Sequence, residues 1–282
     1  MKREVLMRLS RTGLPLFVLG LLIAVTGSSF AAESEARAAV PRDADAFERF
    51  GPYPVGVRTL VLVDTSRVDE RAGGFRTLVT EVWYPAAPGA ADKKPVTFSE
   101  FFAPHEEAAS RFVRRFRAEL EDVDRRFSSR AVRDAPMAEG VFPLLVFSHG
   151  NGGVRHQNTF QLDHLASHGY VIASPDHTGN AGIAPLPDRA VLYDRGGRSY
   201  AAAERPRDLS FVIDQLLAAN TDASSFLHGS LDAEKIGALG HSFGGFTVCR
   251  AAEMDSRIRA ILPMTVAWGK IVDVPVFVFL AG

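Results

Sequence analysis

The sequence predicts an α/β fold in which a mostly parallel, doubly wound sheet follows an N-terminal antiparallel hairpin. Three observations predict it. From Phe142 onward, short apolar runs alternate with segments of helical periodicity, the rhythm of a parallel sheet covered on both faces. Upstream, residues 57–63 and 77–84 are rich in β-branched and aromatic side chains and flank Gly73-Gly74, which reads as a hairpin. The composition is that of a packed chain: 282 residues, 46% hydrophobic, 32 Lys and Arg against 33 Asp and Glu, and one Cys. Those values exclude a disordered chain, a collagen-like repeat and a disulfide scaffold. Near-neutral charge gives no electrostatic reason to expect a nucleic-acid partner. The length suits one sizeable core, so a single domain is expected over residues 51–282.

In chain order, residues 1–31 read as a cleaved secretory signal. Lys2, Arg3, Arg8 and Arg11 precede an apolar run from Leu14 to Val25, and Ser29-Phe30-Ala31 places small residues where a signal peptidase needs them. The run is about a dozen residues, short of the roughly 20 of a membrane span. A secreted or periplasmic protein is therefore expected, with an uncleaved membrane anchor as the alternative. Residues 32–50 are a polar leader. After the hairpin, residues 99–135 form a helical insertion with a helix over 110–127. Phe112, Phe116 and Leu120 line one face of that helix and Arg111, Arg114, Arg115 and Arg117 the other. This reads as an amphipathic surface helix, with a lid or weak membrane-surface contact as the alternative.

The alternating part follows. Strands are expected at 141–148, 170–174, 235–239, 259–264 and 274–280, and helices at 157–168, 204–219 and 243–252, with Pro206 in the first turn of the second. Residues 181–200 form a long excursion, and such loops usually cover a site. Together with residues 99–127, that excursion is expected to wall the pocket. Cys249 has no partner thiol in the chain and reads as a packed core residue.

Ile236-Gly237-Ala238-Leu239-Gly240-His241-Ser242-Phe243-Gly244-Gly245 carries the chemistry. A strand running through G-x-S-x-G into a helix is a nucleophile elbow, with Ser242 on the tight turn. Gly240 and Gly244 lack side chains because the turn brings strand and helix backbones together. A second Gly-rich turn, Ser148-His149-Gly150-Asn151-Gly152-Gly153, opens from the 141–148 strand. It resembles the oxyanion loop of α/β-hydrolases, which implies the backbone N–H groups of Asn151 and Phe243 as the donors to a developing oxyanion. His149 and Gly150 are then structural parts of the loop, and His241 a structural part of the elbow.

Several further segments carry a family resemblance: Gly51-Pro52-Tyr53-Pro54-Val55-Gly56, Glu81-Val82-Trp83-Tyr84-Pro85, Phe142-Pro143-Leu144 through Gly150, Asp176-His177, and Gly240 through Gly245. Together they resemble secreted bacterial relatives of the platelet-activating factor acetylhydrolases and dienelactone hydrolases, from about residue 50 to the C-terminus. The resemblance implies the α/β-hydrolase fold and hydrolysis of carboxylic esters through an acyl-enzyme. It also implies a small-molecule or lipid-like ester substrate and neither metal nor organic cofactor. Polyester hydrolases and cutinases share the elbow but not the leading GPYPVG and EVWYP signatures.

The elbow needs a His as base and a carboxylate to orient it, in the chain order Ser, Asp or Glu, His. No His follows Ser242; all eight lie at His105, His149, His156, His164, His168, His177, His228 and His241. Leu262-Pro263-Met264-Thr265, where the acetylhydrolases place their acid, holds no carboxylate, and Asp255 and Asp273 read as solvated loop charges. The expectation is that acid and His follow Gly282, within roughly 40 to 80 further residues that add a strand and a helix. The 282-residue chain is then impaired. One alternative is a non-catalytic binding protein with an α/β-hydrolase-like fold. Another is supply of the base by His177, although Asp176-His177 reads first as a hydrogen-bonding post beneath the loops.

Overall fold

The computed structural model describes residues 49–265 and 274–275. The chain begins with the long hairpin β1 (Val55–Val68) and β2 (Phe75–Pro85). An irregular segment follows, with α1 (Glu106–Arg114), α2 (Leu120–Arg126) and β3 (Ala131–Arg133). Then come β4 (Phe142–Ser148), α3 (Thr159–Ser167), β5 (Val171–Pro175), the small hairpin β6 (Ile183–Pro185) and β7 (Ala190–Leu192), and α4 (Arg198–Thr221). The last elements described are β8 (Leu231–His241), α5 (Phe243–Met254) and β9 (Ile258–Met264).

Seven strands form one sheet in the order β3-β1-β2-β5-β4-β8-β9. The hairpin and the β2–β5 pair are antiparallel, whereas β5–β4, β4–β8 and β8–β9 are parallel. Side chains on a strand alternate between faces, and each central strand therefore feeds two cores. Leu144 and Val146 of β4, Val171 and Ala173 of β5, and Ile236 and Ala238 of β8 pack with Leu209, Val212 and Ile213 of α4 and Val248 of α5. Phe147, Ile172 and Leu239 point the other way, to Phe101, Phe102, Phe112 of α1 and Leu162 of α3. Cys249 packs in the first of these cores.

Four expectations need correction. The helix expected over 110–127 is two helices, because Arg117 takes φ +57 and ends the α1 segment. The spacing of Phe112, Phe116 and Leu120 misled, since Phe116 is exposed while Phe112 and Val113 supply the buried face. The insertion at 99–135 is also not all helical: β3 within it pairs in parallel with β1 at Val55–Val57. Helix α4 starts at Arg198, which puts Pro206 in its interior. An interior proline costs about 3 kcal/mol, and the buried contacts of Arg205 and Asp208 on either side hold the helix through it. Lastly, the 181–200 excursion contains the β6–β7 hairpin.

Of the strand expected over 274–280, only Val274 and Pro275 are described. Val274 packs against the first core, and the Pro275 carbonyl accepts a hydrogen bond from the Ile261 N–H at 3.0 Å. Residues 1–48, with the expected signal and most of the leader, lie outside the described residues, as does Asp273. Among the described residues no helix is long and apolar enough to cross a membrane.

Candidate active site

Between β8 and α5 a single residue, Ser242, turns the chain with φ +53 and ψ −116. A non-glycine residue held there stores on the order of 1–3 kcal/mol of strain, so the surroundings must impose it. The Ser242 N–H donates to the Met264 carbonyl at the end of β9 (2.9 Å), and the Ser242 carbonyl accepts from the Gly245 N–H (2.8 Å). The two glycines permit the corner: a Cβ on Gly240 would overlap the Gly244 carbonyl, and one on Gly244 would overlap the Ser148 carbonyl. The G-x-S-x-G spacing is thus the imprint of three backbones in contact.

The 148–153 loop lies against that corner. The Gly150 N–H donates to Gln157 Oε1 (3.1 Å), while Gln157 Nε2 donates to His241 Nδ1 (2.9 Å), so one amide side chain ties the loop to the elbow. His241 consequently faces Gln157. The Asn151 side chain is held on both sides, its Oδ1 accepting from Asn180 (2.9 Å) and its Nδ2 donating to the Tyr193 hydroxyl (2.7 Å). The backbone N–H groups of Asn151 and Phe243 find no acceptor among the described residues. His149 is buried, donates from Nδ1 to the Gly150 carbonyl (2.7 Å) and accepts the His177 N–H on Nε2 (3.2 Å). Burial, then the neighbouring Arg205 charge, holds it well below the usual histidine range, so it acts as a neutral hydrogen-bonding part of the loop.

Beneath the loop lies a second serine with the partners that Ser242 lacks. The Ser148 hydroxyl meets His177 Nε2 at 2.9 Å, and His177 Nδ1 meets Asp208 Oδ2 at 2.9 Å. All three residues are fully buried. Arg205 donates to the Ser148 hydroxyl (2.8 Å), to the His149 carbonyl and to Asn180 Oδ1 (2.6 Å), and its guanidinium sits 4.7 Å from the centre of the Phe243 ring. Burial and the Arg205 charge depress His177 to about 3. Burial alone would raise the Asp208 carboxyl, but the Arg76 charge and the His177 hydrogen bond outweigh it and hold Asp208 below the usual carboxylate range. Burial also lowers Arg205 to about 9. His177 is therefore engaged on Ser148, which removes it as a base for Ser242.

None of the eight histidines hydrogen-bonds the Ser242 hydroxyl. Asp255, expected as a solvated charge, is instead buried and bonded to Arg257, so it too is a structural residue. Sequence reasoning missed Arg155, Gln157, Arg205 and Asp208. The last two were readable: Ala201, Arg205, Asp208 and Val212 fall at helical spacing on the inward stripe of α4, and a charge on a buried stripe implies a buried partner. Arg155 was not, because its partners Glu81 and Asp176 come from separate strands and loops. It clamps the far end of the loop, with its backbone N–H on Asp176 Oδ1 (2.7 Å). That carboxyl is raised to about 6, chiefly by burial.

Beside the loop is a pocket of about 350 Å³ with Arg111, Phe112 and Arg115 on one wall and Gly182, Ile183, Leu192, Tyr193 and Arg195 on the other. Its walls come from the 99–127 and 181–200 segments, and its lining does not include Ser242, Asn151 or Phe243.

The model of the platelet-activating factor acetylhydrolase, isoform II, family matches residues 42–187, just over half of the chain. The chain belongs to this family. A general α/β hydrolase fold model matches residues 143–280, the span that contains Ser242. The chain is similar to the platelet-activating factor acetylhydrolase of Cavia porcellus, 30% identical in an alignment of 155 residues that covers 45% of this chain and 35% of the relative. It is also similar to cutinase est1 of Thermobifida alba, 26% identical over 130 residues, 46% of this chain and 37% of that one. Among solved structures, a ferulic acid esterase from Streptomyces cinnamoneus superposes with a TM-score of 0.62 at 28% identity, covering 84% of this chain and 66% of its own. The chain spans about a third of the length of the curated relatives it matches. The sheet order described above is thus that of the α/β-hydrolase fold.

Proposed function

We propose that this acetylhydrolase-family chain carries the nucleophile and oxyanion hole of a serine hydrolase acting on carboxylic esters. Ser242 Oγ attacks the ester carbonyl, and the Asn151 and Phe243 N–H groups receive the oxyanion. The alcohol departs, and water then releases the acid from the acyl-serine. Fixed dipoles aimed at the developing charge lower such barriers by about 3–4 kcal/mol per donor. The observation that carries this reading is Ser242 at φ +53 on the strand-to-helix corner, together with the Asn151 and Phe243 N–H groups, which have no acceptor among the described residues. The similarity to acetylhydrolases, cutinases and a ferulic acid esterase supports a small-molecule or lipid-like ester as substrate.

None of the eight histidines of this sequence hydrogen-bonds the Ser242 hydroxyl, and His177, the best placed of them, is engaged on Ser148. The test is labelling of the full-length natural protein with a fluorophosphonate, expected at Ser242 and absent in Ser242→Ala; a label elsewhere, or none, overturns the reading. The 282-residue chain should hydrolyse p-nitrophenyl acetate no faster than its own Ser242→Ala variant. A second reading, a non-catalytic binding protein, is favoured by the missing imidazole at Ser242 and is the outcome if the natural protein does not label. Export is part of the proposal: N-terminal sequencing of the mature protein should begin at Ala32, whereas retention of Met1 in a membrane fraction would indicate the anchor instead.

A further inference from the structure

We infer that the pocket beside the 148–153 loop is an anion subsite, selecting esters that carry a carboxylate or phosphate group. The ester part of this inference rests on the esterase reading, but the anion selectivity is measurable without turnover. Three guanidinium groups, Arg111, Arg115 and Arg195, line the pocket and no carboxylate does. Arg111 and Arg115 stand four residues apart on the end of α1, hence on one side of it. None of the three has a carboxylate partner among the described residues, although the neighbouring Arg71 and Arg189 are paired with Asp194 and Asp188.

Arg115 is positioned without a counter-charge. Its guanidinium lies 5.6 Å from the Phe112 ring centre and 5.9 Å from that of Tyr193. A Cβ on Gly182 would overlap it, and one on Gly152 would press on it at 3.3 Å, so two glycines make its berth. Like charges gathered in a concavity repel, and an oxyanion bridging them reverses that term with the paired N–H geometry a guanidinium offers. Phe112, Ile183 and Leu192 supply apolar surface for a short methylene arm. Tyr193 joins the pocket to the loop, because its hydroxyl accepts the Asn151 side-chain amide. An ester with its carbonyl at the Asn151 and Phe243 amides can thus extend an anionic arm between the arginines.

The test is a titration of the full chain, followed by NMR at low ionic strength, with monomethyl glutarate against methyl hexanoate and with glycerol 3-phosphate against glycerol. At least one anion should bind about tenfold or more tightly than its uncharged counterpart, and which one does so identifies the source of the charge. Arg115→Gln and Arg195→Gln, both exposed side chains, should each remove most of that preference, while Arg207→Gln on the exposed side of α4 leaves it intact. Equal binding of charged and uncharged probes, or a preference untouched by the two pocket variants, overturns the inference. Fluorophosphonate labelling of the natural protein run in parallel separates the claims: a label at Ser242 without anion preference removes only the subsite, and a preference without a label removes only the esterase reading.

Discussion

Two serines at neighbouring strand ends, Ser148 on β4 and Ser242 just past β8, have opposite endowments. Ser148 has an imidazole and a carboxylate in line, at 2.9 Å and 2.9 Å, yet it is fully buried and its hydroxyl receives a hydrogen bond from Arg205. Ser242 has no imidazole within hydrogen-bond reach, but it is partly exposed, held at φ +53, and followed by the Phe243 N–H, which has no acceptor among the described residues. The contrast teaches that a Ser-His-Asp alignment is not a catalytic site by itself. Nucleophilic chemistry also needs room for the acyl group and donors aimed at the charge that develops. Below the loop the same three residue types serve as a buried polar lattice, in which burial keeps His177 neutral and Arg76 keeps Asp208 charged.

The sharpest way to break the comparison is to remove the carboxylate of the buried set. Asp208 is bonded to His177, Arg67 and Arg76, all without ready access to water. Asp208→Ala leaves Arg76 with Asp69 as its remaining carboxylate partner and takes the acceptor from His177, and should cost about 3–5 kcal/mol, read from urea unfolding; a loss below 1 kcal/mol would mean that the lattice is not structural. At the exposed serine, Gly244→Ala drives a Cβ into the Ser148 carbonyl. It should destabilise the chain by about 1–3 kcal/mol and remove fluorophosphonate reactivity from the natural protein, whereas retained labelling would show that the corner is not needed.

Titration sharpens the contrast further. His177 is lowered to about 3 in the folded chain, while an unfolded histidine protonates near 6.5. As pH falls through that interval the unfolded state takes up a proton that the native state refuses, so stability is present above 6.5 and declines toward 3. His177→Gln should unfold at lower urea at neutral pH but with a flatter dependence between pH 6.5 and 3. Asp163 and Asp176, both raised to about 6, act in the opposite sense and equally in both proteins. An unchanged slope in the variant would refute this account of His177. The smallest effect belongs to Tyr193→Phe, which removes one hydrogen bond to Asn151 and should lower stability by about 0.5–1.5 kcal/mol.

Much of the fold was legible because short-range rules govern it. Residues 55–85 form a hairpin because β-branched runs flank Gly73 and Gly74, both of which take φ +80. The elbow was legible because close backbone approach leaves only glycine at Gly240 and Gly244, and that constraint is written in spacing. The 110–127 helix was misread because periodicity alone cannot say which apolar side chain finds a core; Phe112 does and Phe116 does not. The early start of α4 was hidden because Pro206 is a local stop signal that distant bonds override.

Taken alone, the amino-acid order made the strand-helix alternation, the corner at Ser242 and the loop at Gly150 legible, since each is marked by residue types within a few positions of one another. Tertiary structure decided that His177 meets Ser148, where Arg205 points, and that three arginines without a carboxylate partner among the described residues face one pocket. Those outcomes join side chains far apart in sequence, such as Ser148, His177 and Asp208 or Arg115 and Tyr193, and pairings across separate elements follow from sheet order and helix packing that no local pattern encodes.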